Sequence, residues 1–207
     1  MCRHDFYHFS HLENHMKTLL LILIMLPISA TQAAPPAHPP MNVLIDQLEN
    51  GTRQEMFEAA VHLTVIGPKS IAAEPLLLKM LRSDDDFKMT LACGITQGIG
   101  SQAERLVDDI RPLLLNKNFH LQYWACRALC AIGPAAHDTV PQLLNCLKNG
   151  KASVRHNAAT ALGSIVAPCH KGKVIVLKAL GVALDDLHIM VREAAAAAIL
   201  KITRNEA

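Results

Sequence analysis

Thiols, imidazoles and carboxylates are the side chains that bind metals or take part in covalent steps, and along this chain only a few of them lie next to one another. Five cysteines follow the apolar run near the start: Cys93, Cys126, Cys130, Cys146 and Cys169. Cys169-His170 is a lone adjacent pair with no Cys-x-x-Cys or His-x-x-x-His beside it. A zinc site would need two further ligands from elsewhere, so the pair reads as part of a solvated loop with Lys171 and Lys173. Asp84-Asp85-Asp86 resembles an acid–base or metal cluster, but it stands just ahead of a helical segment at Phe87. Carboxylates there cap free N–H groups and oppose the helix dipole. There is no nucleophile elbow, no phosphate-cradling glycine loop and no dinucleotide fingerprint. The chain therefore offers no catalytic residue, no metal site and no cofactor site, and the expectation is a protein that is not an enzyme.

What remains is recognition. Tyr123, Trp124 and Arg127 lie within one short stretch, and Trp124 is the only tryptophan of the 207 residues. Trp, Tyr and Arg dominate binding hot spots because they join large apolar area to directional donors. Two uses are open for Trp124: a docking anchor, or a core residue tucked against the next element.

The elements that position it repeat. Ile66-Gly67-Pro68 recurs as Ile99-Gly100-Ser101 and as Ile132-Gly133-Pro134, and looser copies end near Val166 and near Ile202-Thr203. Each mark closes an alanine-rich stretch. A fixed period of about 33 residues signals a stacked solenoid, whose repeats bury their apolar faces only against neighbours. From Met41 onward two kinds of segment alternate, both with apolar residues at helical spacing. The first kind covers Asn42–Asn50, Ala73–Leu81, Arg105–Asn116, Thr139–Lys148 and Lys173–Leu184. The second covers Gln54–Ile66, Phe87–Ile99, Leu121–Ile132, Ser153–Val166 and Ile189–Ile202. Pro75, Pro112 and Pro141 suit a first helical turn, and Gly67, Gly100 and Gly133 suit a helix end. Short links make each pair antiparallel. The fold expected is all-α: an α-solenoid of about five antiparallel helical hairpins.

Over roughly residues 41–205 the chain resembles HEAT-repeat proteins of the short bacterial type. The resemblance rests on Val154-Arg155-His156-Asn157-Ala158-Ala159, on Val191-Arg192 before the alanine run, on the Ile-Gly-Pro exits and on Val140-Pro141-Gln142-Leu143-Leu144. It implies that an arginine meets an acidic residue near the preceding turn, which offers Asp185 or Asp186 to Arg192 and nothing to Arg155. Counting back from Arg155 in register gives Gln122, Met89 and Met56, so apolar packing alone is expected at that level in the first three repeats. It also implies that the second helices line a concave face. In register, Ala60, Cys93, Cys126, Ala159 and Ala196 form a buried column. Glu58, Leu91, Trp124, Asn157 and Ala194 form an open one, flanked by Phe57, Thr90, Tyr123, His156 and Glu193. A third column runs Val61, Gly94, Arg127, Thr160 and Ala197. The candidate partner-binding residues are Tyr123, Trp124, Arg127, Leu91, Phe57 and Val61, with Gly94 and Gly98 leaving a shallow dip. Two enzymatic precedents come with the resemblance, a bilin-lyase type and a DNA-glycosylase type.

Disulfides need Cα atoms about 4.4–6.8 Å apart, closer than neighbouring helix axes. Cys93 and Cys126 are thus expected as free thiols, while a Cys146–Cys169 bond stays open. Ahead of the array, Lys17 precedes the run Leu19–Leu26, and a small-residue exit ends at Ala33-Ala34. That is the pattern of a secretory signal over residues 1–33, with Met16 as a possible true start; an uncleaved anchor or a core helix is the alternative. Four prolines between Pro35 and Pro40 make residues 34–40 a stiff spacer, and residues 41–207 form the repeat domain. Net charge is +2 with 18% charged residues, which argues against nucleic acid as partner. The expectation is an exported, periplasmic or secreted module that binds a protein or peptide without staying in the membrane. The alternative is a cytosolic accessory subunit or lyase-like component. Asp46, Gln47, Glu49 and Asn50 are the candidate polar cover of one end of the array; Lys201, Arg204, Asn205 and Glu206 are that of the other.

Overall fold

Ten α-helices follow one another in the computed structural model, which describes residues 38–166 and 172–204 and contains no strand among them. They are α1 (Met41–Asn50), α2 (Arg53–Ile66), α3 (Glu74–Leu81), α4 (Asp86–Ile99), α5 (Val107–Ile110), α6 (Phe119–Ile132), α7 (Val140–Asn149), α8 (Ala152–Ile165), α9 (Lys173–Ala183) and α10 (Ile189–Arg204). Consecutive pairs form five hairpins, as the period requires. The expected signal segment and most of the spacer lie outside the described residues, as do Cys169, His170, Lys171, Asn205 and Glu206. His38, Pro39 and Pro40 precede α1 without helical structure.

Local chemistry sets the helix starts. Thr52 accepts from the Glu55 N–H while Glu55 bonds back to the Thr52 N–H at 2.8 Å, a complete capping box for α2. Asp85 caps α4 by accepting from the Phe87 N–H at 2.9 Å, the role expected of the acidic run. Asn118 caps α6 through the His120 N–H at 3.0 Å. Pro75 and Pro141 sit in the first turns of α3 and α7.

The links between hairpins are more ordered than the sequence suggests. Gly67–Ala73, Gly100–Leu106 and Gly133–Thr139 each wind into a 3-10 helix. Each opens on a glycine at φ 72°, 71° and 76° respectively. With ψ near −132° to −139° this backbone mirrors the extended region, where a Cβ is strongly disfavoured. These three links from one hairpin to the next are therefore short helices of their own. The expected helix Arg105–Asn116 is corrected: only Val107–Ile110 is α-helical, and Arg111–Leu115 tightens to 3-10. Pro112, eight positions into the expected helix, has no N–H to give the carbonyl four residues back and its ring clashes there.

One continuous apolar core runs through the stack from Leu44 to Ile202. Cys93 and Cys126 are buried free thiols, as are Cys146 and the half-buried Cys130. Burial pushes the Cys93 thiol up to about 12. Three expectations about the stack change. First, Arg155 reaches forward, not back: its guanidinium makes two 2.7 Å bonds to the Asp186 carboxylate of the next turn. Arg192 is left with the Asp186 carbonyl at 2.8 Å. Second, polar links do join the early repeats. Arg53 meets Asp85 at 3.6 Å and Asn118 donates to Asp86 at 2.7 Å, while within the third hairpin Gln122 donates to the Asn116 carbonyl at 2.8 Å. Third, Ala196 is exposed although its register partners Ala60, Cys93, Cys126 and Ala159 are buried, because no following hairpin covers it among the described residues.

Candidate binding face

The second helices α2, α4, α6, α8 and α10 pack side by side along their lengths, whereas the first helices touch one another sparsely. A double layer with unequal spacing bends toward its tighter side, so the second helices line the inner face of the curve. Small residues permit the tight spacing. A Cβ on Gly98 would lie 2.8 Å from Thr64 Cα and closer still to the Thr64 carbonyl oxygen. A Cβ on Gly163 would lie 2.7 Å from Ala198 Cβ. Cys130 Sγ and Ser164 Oγ meet at 3.3 Å in the same seam between α6 and α8. Gly98 is thus no dip; the backbone of α2 occupies the space.

On this inner face α6 carries His120, Tyr123, Trp124 and Arg127, spaced i, i+3, i+4 and i+7 and so stacked on one side of the helix. The Arg127 guanidinium is the hub. Its Nε donates to Gln97 Oε1 at 3.0 Å and its Nη1 to Tyr123 Oη at 2.8 Å. It lies 5.5 Å from the Tyr123 ring centroid and 5.3 Å from that of Trp124, within cation–π range of both. The two rings meet edge to face at 5.5 Å. Trp124 Nε1 donates to His120 Nε2 at 3.3 Å, which fixes the imidazole proton on Nδ1. Burial holds the His120 imidazole below its ordinary value.

Tyr123, Trp124 and Arg127 are therefore brought together and are half-buried. Trp124 leans back over α4, with Cζ3 3.8 Å from where a Gly94 Cβ would stand, and it is partly buried against the core. Leu91, expected to be open, is 7% exposed and belongs to the core. Its position on α4 faces α2 rather than solvent. Phe57 and Val61 are 42% and 48% exposed on α2, an apolar strip that the sunken Leu91 separates from the α6 cluster. His120 and Gln97 were not among the expected residues. The signals for them were thin: one sits a helical turn before Trp124, the other about one repeat before Arg127. Toward the C-terminal side the face turns polar, and its groups serve the fold: His156 Nδ1 donates to the Met190 carbonyl at 2.9 Å and Asn157 to the Ser153 carbonyl at 2.8 Å. Among the described residues no group of three or more His, Cys, Asp or Glu is arranged to hold a metal ion.

The family model for HEAT repeats matches residues 73–163 and again 107–201. A comparison with curated proteins returns no match. Among solved structures, an engineered protein of the Northeast Structural Genomics Consortium aligns with TM-score 0.65 and 25% identity over 80% of each chain. A designed armadillo repeat protein in complex with the peptide (KR)4 aligns with TM-score 0.65 and 15% identity, over 79% of this chain and 82% of that one. The complex of CpcE and CpcF of phycocyanin lyase from Nostoc sp. PCC7120 aligns with TM-score 0.59 and 16% identity, over 76% and 96%. At that identity the last two show a shared fold alone.

Proposed function

This chain belongs to the HEAT-repeat family, and on that premise we propose that it is a non-enzymatic module that takes a protein or peptide segment on its inner face. The observation that carries the proposal is the α6 cluster, in which Arg127 is clamped between Gln97 and Tyr123 and two aromatic rings stand half-exposed around it. Such a cluster is already ordered, so little rotamer freedom is left to lose on binding. The segment that fits has an apolar or aromatic side chain for Trp124 and a carboxylate for the Arg127 fork. The designed armadillo protein with its (KR)4 peptide supports the reading that a stack of this shape can hold a peptide. Phe57 and Val61 extend the proposed contact toward the N-terminal side. Among the described residues no helix is long and apolar enough to cross a membrane. We place the module outside the cytosol, on the strength of the residue 1–33 pattern.

Capture of the native partner by Trp124→Ala against the parent chain tests the site. The expected loss is about 2 kcal/mol or more, roughly a 30-fold weaker Kd, with an unchanged helical circular dichroism spectrum. Full retention by a folded variant removes the cluster from the interface. Mass spectrometry of the mature N-terminus tests export: a soluble protein that still carries residues 16–33 would point to the cytosolic reading.

A further inference from the structure

The inner face changes its hydrogen-bonding sense between α6 and α8. On α6 and the adjoining edge of α4, protons are left to offer. A guanidinium only donates, so the Gln97 amide turns its oxygen to Arg127 Nε, at 3.0 Å, and keeps its NH2 group free. Tyr123 Oη accepts from Arg127 and retains its own proton. His120 accepts the indole N–H at Nε2 and carries its proton on Nδ1. Among the described residues Arg127 Nη2 has no partner, and it reaches solvent. Elsewhere in the stack guanidinium groups find carboxylates: Arg82 meets Asp109 and Arg155 meets Asp186, both at 2.7 Å. The half-buried Arg127 meets only the neutral Gln97 and Tyr123.

On α8 the protons are already spent. His156 and Thr160 stand one repeat on from Tyr123 and Arg127 in register. A carbonyl only accepts, so the 2.9 Å contact with the Met190 carbonyl puts the His156 proton on Nδ1 and leaves Nε2 a bare acceptor. That nitrogen is not buried. Thr160 gives its hydroxyl proton to the His156 carbonyl at 3.0 Å and presents lone pairs. No Asp or Glu lies on α8.

We infer that the inner face reads an ordered pair of groups. The docked segment sets an aspartate or glutamate over α6 and a serine or threonine over α8, whose hydroxyl donates to His156 Nε2. This rests on the inner face being the docking face proposed above. Charge and proton counting choose the occupant. A carboxylate over α6 gives Arg127 the counter-charge it lacks and takes further protons from Gln97 or Tyr123. The same carboxylate over α8 would face the lone pairs of His156 and Thr160 and stay unpaired. An ammonium over α8 would give up water for a helix without a carboxylate, beside the Arg127 cation. A hydroxyl carries no charge and needs one acceptor, which His156 supplies.

Panning a displayed library of random peptides on the parent chain, then titrating the enriched peptide by calorimetry, tests this. Peptides that pair an acidic residue with a hydroxyl residue are expected to be enriched. Replacing the hydroxyl residue of such a peptide by alanine weakens Kd about threefold to tenfold, and replacing it by aspartate weakens binding further. Against His156→Phe, with its helical spectrum intact, the hydroxyl and alanine peptides bind alike. Equal binding of those two peptides to the parent chain overturns the inference, as does enrichment of a basic or acidic residue at that place. Should such a peptide still lose its binding to Trp124→Ala, the docking face stands and only the ordered pair falls. If no peptide is enriched, both fall.

Discussion

His120 Nε2 accepts the indole N–H of Trp124 at 3.3 Å, a bond open only to the neutral ring. Burial lowers the imidazole's affinity for a proton in the folded state. The folded value therefore lies below the unfolded one, so the neutral ring's contribution is complete above about pH 6.5 and is lost as the pH falls. Trp124 is the sole indole, so its fluorescence reports the event directly. The expected result is a titration midpoint below the ordinary histidine value, absent in His120→Gln. Asp186 carries the opposite charge logic. Its hydrogen bonds to Arg155 come first among the causes that draw its carboxyl down to about 2. The pair is mostly buried, with side chains 18% and 13% exposed. Asp186→Ala should cost about 2–3 kcal/mol in denaturant melts, and in the parent chain that stability fades as the pH drops from about 4 toward 2. The period in the sequence placed Tyr123, Trp124 and Arg127 on one face, which the structure shows. It did not show depth: Leu91 and Trp124 share a register column, yet one is core and the other half-open. Which of them sinks depends on Gly94 leaving room for the indole, a fact about two helices that one repeat cannot carry.

At the scale of elements, glycines separate into three kinds that simple replacement by alanine would tell apart. Gly98→Ala drives a methyl into the backbone of α2 at Thr64 and should cost about 1–3 kcal/mol through overpacking. Gly133→Ala meets nothing within 4 Å, yet its φ of 76° with ψ of −138° should cost about 1–3 kcal/mol in backbone strain. Gly94→Ala finds only ordinary contact with Trp124 at 3.8 Å and should gain about 0.5–1 kcal/mol in helix propensity. Thermal melts that rank the three otherwise would contradict the packing described. Nine of the ten helices were legible from periodicity and Pro/Gly punctuation to within a few residues. The tenth was not, because Pro112 reads equally well as a first-turn residue and as a breaker, and the register of Arg111–Leu115 with its neighbours decides. The 3-10 links escaped notice because Gly-Pro-Lys-Ser and Gly-Ser-Gln-Ala look like loop composition. The forward reach of Arg155 to Asp186 was hidden for a related reason: the residues lie 31 apart, and sequence proximity favoured Arg192.

For the whole molecule, stability follows position in the stack, since each hairpin is held by its neighbours. Hydrogen exchange should be slowest in α4, α6 and α8, each packed between two second helices, and fastest in α1 and α9. The unequal layers have one more consequence. Because the inner helices touch and the outer ones stand apart, thermal flexing opens gaps on the outside and leaves the inner rungs at a constant pitch of about 8–10 Å. A polypeptide in the polyproline II form advances about 3.1 Å per residue and brings its side chains round every three residues. Laid across the rungs, such a strand would present every third side chain to an equivalent row, Val61 to Gly94 to Arg127 to Thr160. An alanine scan of a bound peptide should then show a beat of three, and a beat of two would mean a pleated strand, whose side chains alternate and fall out of step with the rungs.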